Sequence, residues 1–211
     1  MTLPTHDEMV ANIITVYERA TFGQTLDGAD WYRRARFVIE DLSNGLGVDP
    51  HRFAHALAAL SPRNPWRWNV QDAYAFASAA HNGAPMPGNA TTFKRNCAAA
   101  WAALTNGGDP WKTAALKVRS FVAACLGDPE AVVIDVWAYR VAVGCDMDKK
   151  VNKSEYKAIT AAYAEAAMQV GRMPAHLQAI TWLVVRGEGR NKVRSYKAGT
   201  AEAVIAAMEN A

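Results

Sequence analysis

Cysteine is scarce in this chain and poorly placed for metal chemistry. Cys97, Cys125 and Cys145 lie far apart with no C-x-x-C spacing. That argues against zinc, an iron–sulfur cluster and a disulfide framework, and for a reducing, cytoplasmic setting. The histidines are no better arranged, since His51 and His55 share a helix face but lack a third ligand. No metal and no cofactor are expected. Apolar runs are short, none near the roughly 20 residues of a membrane span, so no membrane partner is expected. The opening "MTLPTHDEMVANII" carries acids where a secretory leader carries bases, and export is not expected. Strand signals are almost missing: only Ala131 to Ile134 reads that way, and it is short and isolated. Repeats and low-complexity linkers are absent. Charge of one sign is also in short supply, the formal net being +3 over 211 residues.

What the chain does have is helix. Hydrophobic residues make up 51% of it, enough for a real core. They recur at three and four positions in "HDEMVANIITVYERA", "WYRRARFVIEDL", "PHRFAHALAAL", "WNVQDAYAFASAAH" and "TTFKRNCAAAWAAL". The pattern continues in "ALKVRSFVAACL", "VWAYRVAVG", "KSEYKAITAAYAEAAMQV", "AHLQAITWLVVR" and "TAEAVIAAMEN". Breaks are expected at Gly and Pro clusters, among them "FGQTLDG", "NGGDP" and "GRMP". Thr91 or Thr92 is placed to cap the helix carrying Trp101, and Asp109–Pro110 reads as a cap followed by a first-turn proline. The expected fold is all-α, about ten helices, with residues 1–211 forming a single domain.

Basic residues cluster twice. The segment "RGEGRNKVRSYK" holds Arg186, Arg190, Lys192, Arg194 and Lys197 against one acid, Glu188, and "SPRNPWRWN" interleaves Arg63 and Arg67 with Trp66 and Trp68. Solvated charge beside helix ends and a phosphate-binding patch both fit such runs. The stretch "LGDPEAVVIDVWAYRVAVG" is more pointed, because an apolar run delivers Asp135 to the start of an amphipathic helix. An aspartate there caps free backbone N–H groups. A carboxylate in a partly dry helix start also serves as a base or stabilises a cation. Local pattern leaves both open.

Wider context adds a resemblance. Lys117 precedes Asp135 by eighteen positions, with "VRSFVAACLGDP" between them and "VWAYRV" following. This order of lysine, helix, Gly/Pro turn, apolar run, aspartate and helix resembles the core of the helix-hairpin-helix DNA glycosylase superfamily. Arg140 and Val141 fall on that family's arginine–valine pair. The family's glycine hairpin is missing, because "KTAALK" has none, and Lys112 stands beside Lys117 as a second candidate lysine. "ALSPRNPWRWN", "KVRSFVAACLGDPEAVVID" and "YKAITAAYAEAAMQVGRMPAHLQAITW" are similar to blocks of small bacteriophage members of the superfamily. Some of these are linked to thymine hypermodification.

The resemblance implies a compact, two-lobed helical fold, one lobe carrying Lys117 to Arg140 and the other the first helices and the end of the chain. It implies DNA as partner, a flipped nucleotide as substrate, and the host cytoplasm as location if the gene is phage-borne. Protein partners stay unknown. Asp135 becomes the catalytic carboxylate. Lys117 becomes a Schiff-base nucleophile if buried, or otherwise a phosphate contact. Arg63 or Asn64 is the wedge that replaces the extruded base, with Trp66 and Arg67 beside it. Trp137, Tyr139, Tyr163, Gln178 and Trp182 supply pocket walls, although helical spacing also fits them to a plain core. Tyr156 and Tyr163, seven apart, read as a packing stripe. Two alternatives accompany the glycosylase reading: a transferase acting on a modified pyrimidine in DNA, and an inactive DNA-binding protein of the same fold.

If the late basic segment contacts phosphates, neutralising Arg186, Arg190, Lys192 and Arg194 weakens DNA binding regardless of sequence. It also flattens the salt dependence by about one logarithmic unit per lost contact. Fluorescence anisotropy across a salt series checks this, and an unchanged slope removes the segment from the interface.

Overall fold

The way each helix begins explains most of the architecture. The structure, a computed structural model, describes residues 3–62, 64–88, 90, 92–107, 109–110, 115–146 and 151–186. Among these the chain is all-α, with nine helices and no strand. Helix α1 (His6–Glu18) starts in a capping box between Thr5 and Glu8. Helix α2 (Phe22–Leu46) starts in a second one, in which Thr21 and Gln24 exchange side-chain and backbone hydrogen bonds. Asp49 accepts from Arg52 N at 3.1 Å and Pro50 follows at the first position of α3 (Pro50–Leu60). Helices α4 (Trp66–His81), α5 (Lys94–Asn106) and α6 (Leu116–Cys125) begin without a side-chain cap. Asp135 caps α7 (Val136–Val143), and an Asn152–Glu155 box opens α8 (Lys153–Gln169), which leads to α9 (Pro174–Arg186). No described helix is long and apolar enough to cross a membrane.

Three expectations about helix ends need correction. "FGQTLDG" is no break: α2 runs through it, because the Thr21–Gln24 box opens the helix upstream of both glycines. Thr92 does not cap α5, whose N-cap is Phe93, and its hydroxyl instead donates to Pro62 O at 3.2 Å. Asp109–Pro110 lies ahead of the α6 start, and Asp109 pairs with Arg119 at 3.0 Å. Thr91 and the expected helix over "TAEAVIAAMEN" lie outside the described residues.

The helices fall into two compact units. The first takes α1, α2 through Arg33, and α7 to α9 from Gly127 onward. There α1 packs on α7, α8 and α9, burying Val10 and Ile13 with Ile134, Val141, Ile159, Leu177 and Ile180. Gly144 ends α7 in the left-handed conformation, and Asn12 of α1 donates to Ala142 O at 3.0 Å beside it. The second unit takes α2 from Arg34 and α3 to α6. Its centre is α3, buried almost all round from Phe53 to Leu60 and packed by α4, α5 and α6, as an apolar-all-round helix must be. The boundary at Leu126/Gly127 separates Lys117 from Asp135, so one lobe does not hold both. Helix α6 packs on α3, whereas the run from Ala131 to Ile134 is buried with the α8 residue Tyr156.

Among the described glycines of the first unit, Gly28 meets its neighbour most closely. A Cβ there would lie 2.6 Å from Ile180 Cα, which is backbone and cannot swing aside. An alanine gains about 1 kcal/mol of helix propensity at such a site, while overpacking costs roughly 1–3 kcal/mol. Gly28→Ala is therefore expected to be net destabilising in chemical denaturation. Gly23→Ala, which meets only Thr21 Oγ1 at 4.0 Å, is expected to be neutral or stabilising. Equal effects at the two positions would contradict the close α2–α9 contact.

Candidate active site

The site grows from a run of four buried residues without regular structure. Ala131, Val132, Val133 and Ile134 are apolar on every side, so burial extends the chain between layers rather than amphipathically. Their backbone polar groups still need partners. The hydroxyl of Tyr156, on α8, supplies two: it donates to Val132 O at 3.0 Å and accepts from Ile134 N at 3.2 Å. Held this way, the run delivers Asp135, half-buried, to the start of α7.

Asp135 Oδ1 accepts from Trp137 N at 3.0 Å and Ala138 N at 2.9 Å, satisfying two orphan donors of the helix. Oδ2 accepts from the indole Nε1 of Trp182 at 3.2 Å, a bond no simple cap requires. A carboxylate offers about four acceptor positions. Among the described residues three are filled, two on Oδ1 and one on Oδ2. The capping reading is thus correct for one oxygen, while the other oxygen is oriented from α9.

Helix α9 is in turn tied down by its polar residues. Gln178 is buried and accepts from the Tyr32 hydroxyl through Oε1 at 2.7 Å. Thr181 donates to Gln178 O at 3.1 Å, which makes the Tyr163 hydroxyl the donor in its 3.2 Å contact with Thr181. Burial pushes the Tyr163 phenol well above its ordinary range; the Thr181 contact opposes this and the charge of Asp135 adds to it. Stability from a neutral buried phenol is complete below its unfolded pKa of about 10 and is lost as pH rises beyond it. The guanidinium of Arg186 sits 4.4 Å over the Trp182 ring, and that of Arg140 lies 4.9 Å over Trp137 and pairs with Asp146 at 3.0 Å.

The first unit therefore brings together Asp135, Trp137, Tyr139, Tyr163, Gln178 and Trp182. Of these Tyr139, Tyr163 and Gln178 are buried, whereas the two tryptophans are partly exposed. The second unit holds Lys117, Asn64, Trp66 and Arg67. Lys117 is exposed in the first turn of α6, so the burial a Schiff-base lysine needs is absent. Asn64 is turned inward, its Nδ2 donating to Leu60 O at 3.2 Å and to Asp72 Oδ2 at 3.0 Å, which locks the α3–α4 turn rather than projecting a wedge. Trp66 and Arg67 are half-buried. Arg63, Lys112, Arg190, Lys192 and Arg194 lie outside the described residues. Among the described residues no group of His, Cys, Asp and Glu could hold a metal ion. A crevice of about 390 Å³ between α1 and α8, lined by Asp7, Val10, Ile14 and Glu165, involves none of these residues.

Tyr32, Tyr156 and Thr181 escaped the sequence reading as site residues. Tyr32 meets Gln178 across 146 positions and Tyr156 meets Ile134 across 22, separations that no local pattern encodes. Thr181 had a signal, lying three positions after Gln178 and directly before Trp182.

Tyr156→Phe strips the partner from two buried backbone groups at once, and a loss of about 1–3 kcal/mol is expected. Tyr163→Phe leaves Thr181 still bonded to Gln178 O and should cost nearer 1 kcal/mol. Chemical denaturation orders the two variants, and hydrogen exchange at Ile134 should accelerate only in Tyr156→Phe. The reverse order would contradict the clamp.

No curated protein and no solved structure matches the chain. One family model does, over residues 2–189, and it describes a family of unknown function (DUF7178). On that match, which spans both units of the fold, the chain belongs to the DUF7178 family.

Proposed function

We propose that this protein is a DNA-acting enzyme of the glycosylase type, working on one nucleotide turned out of the stack, with Asp135 as its catalytic carboxylate. The observation that carries the reading is that Asp135 Oδ2 is oriented from a second helix. Oδ1 is fixed by two backbone amides, and Oδ2 accepts from the Trp182 indole of α9, its one partner among the described residues. A group that served only as a cap would have no use for that orientation. The likeness of "KVRSFVAACLGDPEAVVID" to the glycosylase core points the same way.

The chemistry asks little more of the chain. When the bond between C1′ and the base nitrogen breaks, the base leaves with the bonding pair and the sugar becomes cationic. A carboxylate beside C1′ stabilises that cation. The same carboxylate accepts a proton from water as the water oxygen bonds to C1′. Trp137 and Trp182 offer partly exposed rings against which a flipped base can lie. Lys117, being exposed, fits a phosphate contact rather than a nucleophile.

Asp135→Asn tests the assignment. Asparagine caps helices about as well as aspartate, so Oδ1 keeps both amide bonds; its Nδ2 cannot accept from the Trp182 indole, and the fold should lose about 1–3 kcal/mol. Removing the charge should slow the reaction by roughly a hundredfold or more. Duplexes carrying single damaged or modified bases are the substrates, read by mass spectrometry of the nucleosides. A free base in the wild-type digest marks glycosidic cleavage, and an altered base mass marks transfer to the base substituent. Full activity of a folded Asp135→Asn protein would falsify the catalytic role.

A further inference from the structure

Helix α9 carries a glutamine where an apolar residue would pack at less cost. From Pro174 to Thr181 every residue but His176 is buried, and Leu177, Ala179 and Ile180 fill that stretch with apolar surface. Gln178 lies among them at 3% exposure. A buried amide is costly unless its polar atoms are paired. The Tyr32 hydroxyl donates to Oε1 at 2.7 Å, whereas among the described residues neither N–H of Nε2 has an acceptor. Gly28, one turn before Tyr32, brings α2 against the Ile180 backbone and so within reach of this amide. The Tyr32 bond also fixes which end of the amide faces α2. It is the oxygen, and the nitrogen is left on the far side.

That donor belongs to the same patch of the first unit as the candidate carboxylate. Trp182 follows Gln178 by one turn on one face of α9, and its indole reaches Asp135 Oδ2. Thr181 donates to Gln178 O and accepts from Tyr163, a phenol close enough to Asp135 for that charge to raise its pKa. The three groups offer different things to a nucleotide. Asp135 suits a cationic sugar, Trp182 offers a ring face, and Gln178 presents N–H donors. Base edges answer that last feature differently. Thymine, uracil and guanine carry a carbonyl acceptor where cytosine and adenine carry an amino donor. An amino group against Nε2 would set donor against donor.

We infer that Gln178 selects the base, its Nε2 donating to a carbonyl oxygen on the base edge, so that the enzyme takes an oxo base in preference to its amino counterpart. This rests on the proposed function in taking a flipped nucleotide as the ligand.

Anisotropy of the full chain with labelled duplexes carrying one test base opposite a tetrahydrofuran abasic analogue tests it. The test bases are uracil against cytosine and hypoxanthine against adenine, pairs in which an oxo group replaces an amino group. The missing opposite base removes differences in pairing strength. A 2′-fluorine on the test nucleotide disfavours the cationic sugar and keeps the base attached. In each pair the oxo member is expected to bind about tenfold tighter. Gln178→Met, similar in length but without the donor, should bring that ratio to within about twofold of one. Tyr32→Phe leaves Gln178 in place but frees the amide to turn over, and should lower the ratio too. It carries the test if Gln178→Met does not fold.

A wild type without oxo preference overturns the inference. So does a ratio unchanged in the folded variants, which is what a purely structural glutamine would give alongside a lower Tm. Test duplexes bound no more tightly than a fully paired one overturn the flipped-nucleotide reading together with this one. An oxo preference indifferent to Gln178 overturns this inference and spares Asp135. A preference that depends on Gln178, with full activity in Asp135→Asn, does the opposite.

Discussion

The Tyr156 hydroxyl is the contact on which the first unit depends. Four apolar residues enter the core as irregular chain, a state that leaves backbone polar groups without helical partners. One phenol resolves it by donating to Val132 O and accepting from Ile134 N. Because the run is held, Asp135 arrives at the first turn of α7 in one orientation. Because α9 is held as well, by Tyr32 on Gln178 and by Tyr163 on Thr181, the Trp182 indole meets the second carboxylate oxygen. Buried polar groups thus fix the carboxylate from two helices, an arrangement that apolar packing alone could not orient.

Side-chain caps are spread unevenly over the helix starts, and in the second unit α3 alone has one among the described helices, from Asp49. In the first, α1, α7 and α8 begin on Thr5, Asp135 and Asn152, each accepting from backbone amides of its own helix. In the second, α4, α5 and α6 begin uncapped and carry Arg67, Lys94, Arg95 and Lys117 within their first turns. Electrostatics internal to a helix disfavours the second pattern by a few tenths of a kcal/mol per charge.

Much of the fold was legible in the sequence because its helix signals are local. The apolar spacing in "PHRFAHALAAL" announced α3, and "VWAYRVAVG" gave α7 together with its terminal glycine. Where two local signals competed, the reading failed. In "FGQTLDG" the glycines outweighed the Thr21–Gln24 box, whose value shows only once Gly28 is seen pressed against the Ile180 backbone. Around Thr92 the capping rule pointed to the helix, but the hydroxyl found a better acceptor on Pro62. The site was half legible. Asp135 stood out from its position, and Trp182 and Gln178 from their four-residue spacing on one face. Tyr32 and Tyr156 did not, since their roles exist only through contacts distant in sequence.

The central claim is that Asp135 meets a reacting sugar, and a crystal structure of the Asp135→Asn variant with a duplex carrying one damaged or modified base tests it most directly. The account predicts one nucleotide turned out of the helix, its sugar against position 135 and its base beside the rings of Trp137 and Trp182. A duplex bound with every base stacked, or an extruded nucleotide whose sugar lies away from position 135, would contradict it.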